Sequence, residues 1–141
     1  MDTSKITVQA IINAEPAKVW DYYTQPNHIV HWNFADPSWH CPSAENDMKL
    51  GGIYKARMEA KDGSFGFYFE AVYTEIIPGK QFTYEFGGRT AQIQLNDLGN
   101  QTELIIQFDP ENEHPIELQK GGWQSILNNF KNYTENNSTF L

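Results

Sequence analysis

Apolar and polar positions alternate at the start of the chain. Ile6, Val8, Ala10 and Ile12 are interleaved with Thr7, Gln9 and Ile11, and this period of two predicts a strand. Pro16 sits where a helix takes proline at its first position, because the missing N–H has no partner there anyway. Val19, Trp20 and Tyr23 follow at helical spacing, so a short helix is predicted over 16–24. Pro26 breaks it and opens a second helix whose buried side is Ile29 and Trp32. Residues 33–46 show no period and contain Pro37 and Pro42, which predicts a loop. Two large rings in that loop, Phe34 and Trp39, need something to cover.

From Met48 onward strand follows strand. Gly51-Gly52 marks a bulge or a close backbone approach. Tyr54, Ala56, Met58 and Ala60 share one face, with Lys55, Arg57 and Glu59 on the other. Asp62-Gly63 is a hairpin signal, and Phe65, Phe67, Phe69, Ala71 and Tyr73 then share a face. Pro78-Gly79 suits the centre of a type II turn. Phe82, Tyr84 and Phe86 make the next apolar row, closed by Gly87-Gly88. Ala91, Ile93 and Leu95 make another, and Leu104, Ile106 and Phe108 the last. The final segment changes period. Trp123, Ile126, Leu127, Phe130 and Tyr133 fall on one helical stripe, over a helix running from about Pro115 to Glu135.

Six to seven strands joined by short turns make an antiparallel meander with one wet face. The helix stripe and the sheet's apolar face each need the other to leave water. The predicted class is therefore α+β: a curved antiparallel sheet wrapped around a long C-terminal helix, with two short helices after the first strand. No repeat or linker divides the chain, so one domain is expected over 1–141, with the tail 136–141 frayed.

Charge and composition narrow the partners. Ten Lys and Arg stand against 18 Asp and Glu, a net charge of -8, and no local basic patch offsets it. Nucleic acid and anionic membrane are therefore not expected partners. No apolar run approaches the roughly 20 residues of a membrane span. The first residues lack the pattern of a secretory signal, and a lone cysteine, Cys41, excludes an intrachain disulfide. A cytoplasmic location is expected.

The order of elements and several local words, PAKVWDYYTQP, HIVHW, GGIYKARM, EIIPGKQFTYEF and GGWQSILNNFKNY, resemble the START-like SRPBCC superfamily. Within it they are most similar to the branch named for the C-terminal domain of the activator of the ninety-kDa heat-shock protein ATPase. The resemblance spans about Ile6 to Glu135. It implies a helix-grip fold with a cavity between sheet and long helix. The superfamily also contains cyclases, dehydratases and lipid-transfer domains, so the fold alone does not choose a function. A chaperone-interacting role is the branch's own suggestion, weakened because nothing here matches the N-terminal domain through which the eukaryotic co-chaperone contributes to ATPase activation.

The chain has nine Phe, seven Tyr and four Trp, and many of these rings fall on the predicted inward faces. The plain alternative is that these rings simply fill the core. Against it, a buried tyrosine needs a partner for its hydroxyl, and several aimed at one interior suggest a space with polar tips. The expected cavity wall is Tyr54, Met58, Phe67, Phe69, Tyr73, Phe82, Tyr84, Phe86, Trp123, Leu127 and Phe130, with Trp32, Phe34, Trp39 and His40 at its mouth. His28, His31, His40 and Cys41 cluster in sequence but match no established zinc spacing, so no metal site is expected. Glu70, Arg57, Arg89 and His40 are the polar candidates for acid/base work, with Glu70 and Arg57 placed outward by strand parity. No nucleophile motif or phosphate loop is present, so no catalytic residue and no cofactor is assigned. The reading is a module that binds a small hydrophobic or amphipathic molecule. A cyclase- or dehydratase-type enzyme and a chaperone partner are the alternatives, and a homodimer through a strand edge or the convex face stays open.

Overall fold

The computed structural model describes residues 5–136. The elements run β1 (Ile6–Ile12), α1 (Pro16–Thr24), α2 (Pro26–Ile29), β2 (Trp39–Asn46), β3 (Ile53–Ala60), β4 (Gly66–Ile77), β5 (Gln81–Phe86), β6 (Arg89–Asp97), β7 (Thr102–Phe108) and α3 (Ile116–Asn136). The seven strands form one antiparallel sheet in the order β1-β7-β6-β5-β4-β3-β2. β2 to β7 are a plain meander. β1 is added beside β7, with Ile6 opposite Phe108 and Ile12 opposite Thr102.

The first and second strands thus lie on opposite edges, and α1 and α2 carry the chain between them. α3 then packs chiefly on β1, leaving the β3–β5 half of the curled sheet facing it across a gap. Ile6, Val8, Leu104, Ile106 and Phe108 meet Leu127 and Phe130 in the core, as one-sided alternation and the helical stripe require.

Two irregularities bend the sheet. Tyr73 pairs with Tyr84, but the next paired residue on β4 is Glu75, opposite Thr83. The extra residue reverses side-chain parity, so Tyr73 points inward and Ile76, three residues on, also packs on the core. The second shift lies in β2 between His40 and Ser43. That strand corrects the expected loop over 33–46. It is an edge strand with Pro42 at its bulge, two settings in which a strand tolerates proline, and the bulge erases the alternation that would have revealed it.

The remaining differences are small. The second helix ends at Ile29 and leaves Trp32 on the turn behind it. α3 begins one residue after Pro115. The Gly51-Gly52 signal is a close backbone approach: Gly51 N–H donates to the Tyr73 carbonyl at 2.9 Å, and Tyr73 N–H to that of Gly52 at 3.0 Å. Gly79, at φ +79°, closes the turn in which Lys80 N–H reaches the Ile77 carbonyl. Of the tail expected to fray, Asn136 ends α3 and 137–141 lie outside the described residues. Among the described residues, no helix is long and apolar enough to cross a membrane.

Candidate functional site

Between the sheet, α3 and the α1–α2 segment lies a cavity of about 270 Å³. Strand parity puts Tyr54 and Met58 of β3, Phe67, Phe69 and Tyr73 of β4, and Phe82, Tyr84 and Phe86 of β5 on its wall. α3 contributes Trp123 and Leu127 from its inward stripe. The structure brings these ten positions together. The eleventh, Phe130, is fully buried but lies behind the wall, its edge against Tyr23 and Trp32 at 5.0 and 5.1 Å.

The residues expected at the mouth are placed less uniformly. Trp32 is wall rather than gate: it is buried and lines the cavity, and its indole N–H donates to the Tyr22 carbonyl at 3.0 Å. Phe34 does not reach the cavity, because its backbone is tied to α3 through the Asn129 side chain. Trp39 stands one ring away, in a surface cluster with Phe65 and Phe67. His40 faces Glu59 across the β2–β3 ladder, 3.6 Å from its carboxylate, and does not line the cavity. The most solvent-exposed part of the wall lies at the end of the sheet that holds the β3–β4 and β5–β6 hairpins. There Phe67 is 44% exposed, and Met58, Phe69, Arg89 and Trp123 are half-buried.

Six lining residues were on neither the predicted wall nor the predicted mouth: Tyr23, Asn33, Asn46, Arg89, Ile106 and Ile126. Of these, Ile126 was on the helical stripe and Ile106 on the last apolar row. Tyr23 could have been found from its helical spacing with Val19. Asn33 and Asn46 bracket a segment read as loop, and nothing local announces them.

These polar residues organise the inner end. Asn33 donates from Nδ2 to the Tyr54 hydroxyl at 3.2 Å and approaches Met58 Sδ at 3.5 Å. The Tyr73 hydroxyl donates to Asn46 Oδ1 at 2.6 Å, and Asn46 Nδ2 is anchored on the Thr24 carbonyl at 2.7 Å. The Tyr23 and Tyr84 hydroxyls make no hydrogen bond among the described residues. Neither is sealed off, since Thr134 Oγ1 is the one side-chain polar atom among them that is both sealed and unpartnered. Burial holds all four phenols well above the usual tyrosine range, and Tyr23, Tyr54 and Tyr84 are raised further by phenols beside them. At neutral pH the inner end is a set of uncharged hydroxyls.

The other candidates lie elsewhere. Glu70 is exposed on the convex face, 4.0 Å from the Lys55 ammonium. Arg57 pairs with Glu59 at 2.8 Å and covers the Tyr68 ring. His28 accepts or donates at 2.7 Å to the Tyr133 hydroxyl and stacks on Tyr22, while Cys41 is buried beside Asn33. Among the described residues, no three His, Cys, Asp or Glu side chains converge as metal ligands would.

A curled antiparallel sheet closed over one long helix, with a lined hollow between them, defines a helix-grip protein of the START-like SRPBCC class, a fold that generally binds hydrophobic ligands. Residues 13–135 match the model of the "Activator of Hsp90 ATPase homolog 1-like protein" family, and the chain belongs to it. It is similar to the AHSA1-like protein of Aeromonas hydrophila, with 32% identity over 97% of this chain and 99% of that one and a TM-score of 0.87. It is also similar to Chr148 of Cytophaga hutchinsonii, with 46% identity over 94% and 92% of the two chains and a TM-score of 0.81. Protein CV1439 of Chromobacterium violaceum, at 24% identity over 95% and 99% of the two chains, shares the fold with a TM-score of 0.83. No curated protein matches the sequence.

Proposed function

We propose that the protein binds a small, mostly apolar molecule inside the cavity, with a hydrogen-bonding group of that molecule held by the Tyr23 and Tyr84 hydroxyls. The observation that carries this reading is the division among the four phenols. Tyr54 and Tyr73 have protein partners, whereas Tyr23 and Tyr84 face the cavity with none among the described residues. A guest that supplies an acceptor gives such a hydroxyl a hydrogen bond with a net contribution of about 0.5–1.5 kcal/mol. The volume, about 270 Å³, falls just under the roughly 300–1,000 Å³ of pockets for drug-sized ligands. One or two fused rings fit; a two-chain lipid does not.

The cyclase or dehydratase alternative gains little support. Proton transfer at neutral pH needs a group that titrates near 7 within reach of the substrate. The cavity wall carries no His, Asp or Glu among the described residues, and its phenols are shifted away from neutrality.

The test is a matched pair, 2-acetylnaphthalene and 2-ethylnaphthalene, titrated by the emission of Trp32 and Trp123 and by thermal shift. The ketone should bind more tightly, and Tyr84→Phe should weaken it by roughly three- to tenfold while leaving the hydrocarbon unchanged. Ile126→Trp, which fills the hollow from α3, should abolish both. If neither compound, nor a wider panel of bicyclic ketones and phenols, changes emission or melting temperature, the reading falls.

A further inference from the structure

The cavity wall has one formal charge. Arg89 opens β6 directly after the Gly87-Gly88 turn, and it lines the cavity at its solvent end. Its guanidinium lies 4.7 Å from the centre of the Phe86 ring and gives one long hydrogen bond, 3.3 Å from Nη1 to the Asp109 carbonyl. A guanidinium carries five N–H donors in a planar fork, so most of them have no protein acceptor. Carboxylates are abundant in this chain, 18 against 10 basic residues, and the neighbouring Asp109 could have served. That carboxylate is instead committed to Lys5 at 2.6 Å and to the backbone and hydroxyl of Thr90. Arg89 makes no ion pair among the described residues, and its fork stays open beside Phe86.

The cavity is therefore polarised. Its inner end holds neutral hydroxyls, its middle is aromatic, and its mouth holds one unpaired planar cation. A cationic guest is repelled at the entrance, and a wholly neutral one leaves the fork unused. Resting on the cavity-binding reading above, we infer that the ligand is a monocarboxylate: an aromatic or comparably compact acid whose ring system enters the cavity and whose carboxylate stays at the mouth on Arg89. The fork geometry favours a planar carboxylate, which can take two parallel N–H bonds. The protein's net charge of -8 gives no long-range attraction for such an anion, so any preference must come from this local contact.

The probes are 6-hydroxy-2-naphthoic acid and its methyl ester, titrated by calorimetry at neutral pH in moderate salt. The acid should bind roughly ten- to hundredfold more tightly than the ester, the span expected for hydrogen bonds to a charged group. Arg89→Gln should remove that preference, so that acid and ester bind alike; Arg89→Lys should retain part of it, because the charge survives without the fork. Equal affinity of acid and ester in the unmodified protein overturns the carboxylate inference while the binding reading stands. An acid preference that persists in Arg89→Gln overturns it too, by placing the anion site elsewhere. Failure of both probes to bind overturns the inference and, together with failure of the wider ketone and phenol panel, the binding reading itself. The comparison in the unmodified protein decides the matter even if a variant misfolds.

Discussion

Thr134 sits on α3 with its hydroxyl buried and without a hydrogen-bond partner. A sealed, unpaired hydroxyl is unfavourable relative to a methyl of the same shape. Thr134→Val should therefore raise stability by about 1 kcal/mol, or about 3 °C in melting temperature for a domain of this size. A lower melting temperature would show that the hydroxyl has a partner in solution. Gly52 is the opposite case. A Cβ placed there would meet the Asp47 carbonyl oxygen at 2.0 Å and the Lys49 carbonyl oxygen at 3.0 Å. Both obstacles are backbone, so the chain must shift. Gly52→Ala should cost about 1–3 kcal/mol, as overpacking does, read by urea denaturation. Because Gly52 is hydrogen-bonded to Tyr73, the same change should weaken ligand binding at the inner end of the cavity.

At the scale of elements, the short helices are fastened to α3 by an aromatic clasp. His28 stacks on Tyr22 at 3.8 Å and bonds the Tyr133 hydroxyl, and His31 stacks on the Tyr133 ring at 5.4 Å. Burial lowers the His28 pKa below its ordinary value of about 6.5, outweighing the attraction of Asp21. The folded protein then binds fewer protons than the unfolded chain as pH falls below that value. Stability rises with pH across this window and is lost on acidification through it. His28→Gln should flatten the part of the pH–stability curve just below 6.5, measured by melting temperature from pH 7 to 5. An unchanged slope would mean that the clasp does not titrate. Legibility also varies at this scale. β3, β5 to β7 and α3 could be read from period alone, because each keeps one face toward the core, and β4 could be read as far as its bulge after Tyr73. β2 could not. It is an edge strand whose bulge at His40–Ser43 and whose Pro42 remove the alternation on which such a reading depends.

For the whole molecule, binding to the folded state alone must raise its stability. A ligand at one hundred times its dissociation constant should add about 2.7 kcal/mol, an increase in melting temperature that Ile126→Trp should abolish. If the shift persists in that variant, the ligand lies outside the cavity. Most of the cavity wall was also visible in advance, because Tyr54, Tyr73, Tyr84 and the neighbouring Phe rows inherit their direction from strand parity. The polar groups that give the cavity its two ends were less visible. Asn33 and Asn46 come from the turn after α2 and from the edge strand, where direction is set by packing rather than by period. Arg89 was visible as a polar candidate, but its place at the opening depends on how the β5–β6 hairpin meets α3.

Hydrophobic periodicity by itself determined a curved antiparallel sheet, a long helix to cover it and an aromatic interior. Each of those follows from local alternation and from the need of two apolar faces to leave water together. Only the tertiary structure decided that α3 lies toward β1, so that a hollow remains under β3 to β5 and is not filled. It also decided that two phenols without a hydrogen-bond partner and one guanidinium without an ion pair among the described residues meet that hollow. Such matters depend on contacts between residues far apart in the chain, which no local pattern encodes.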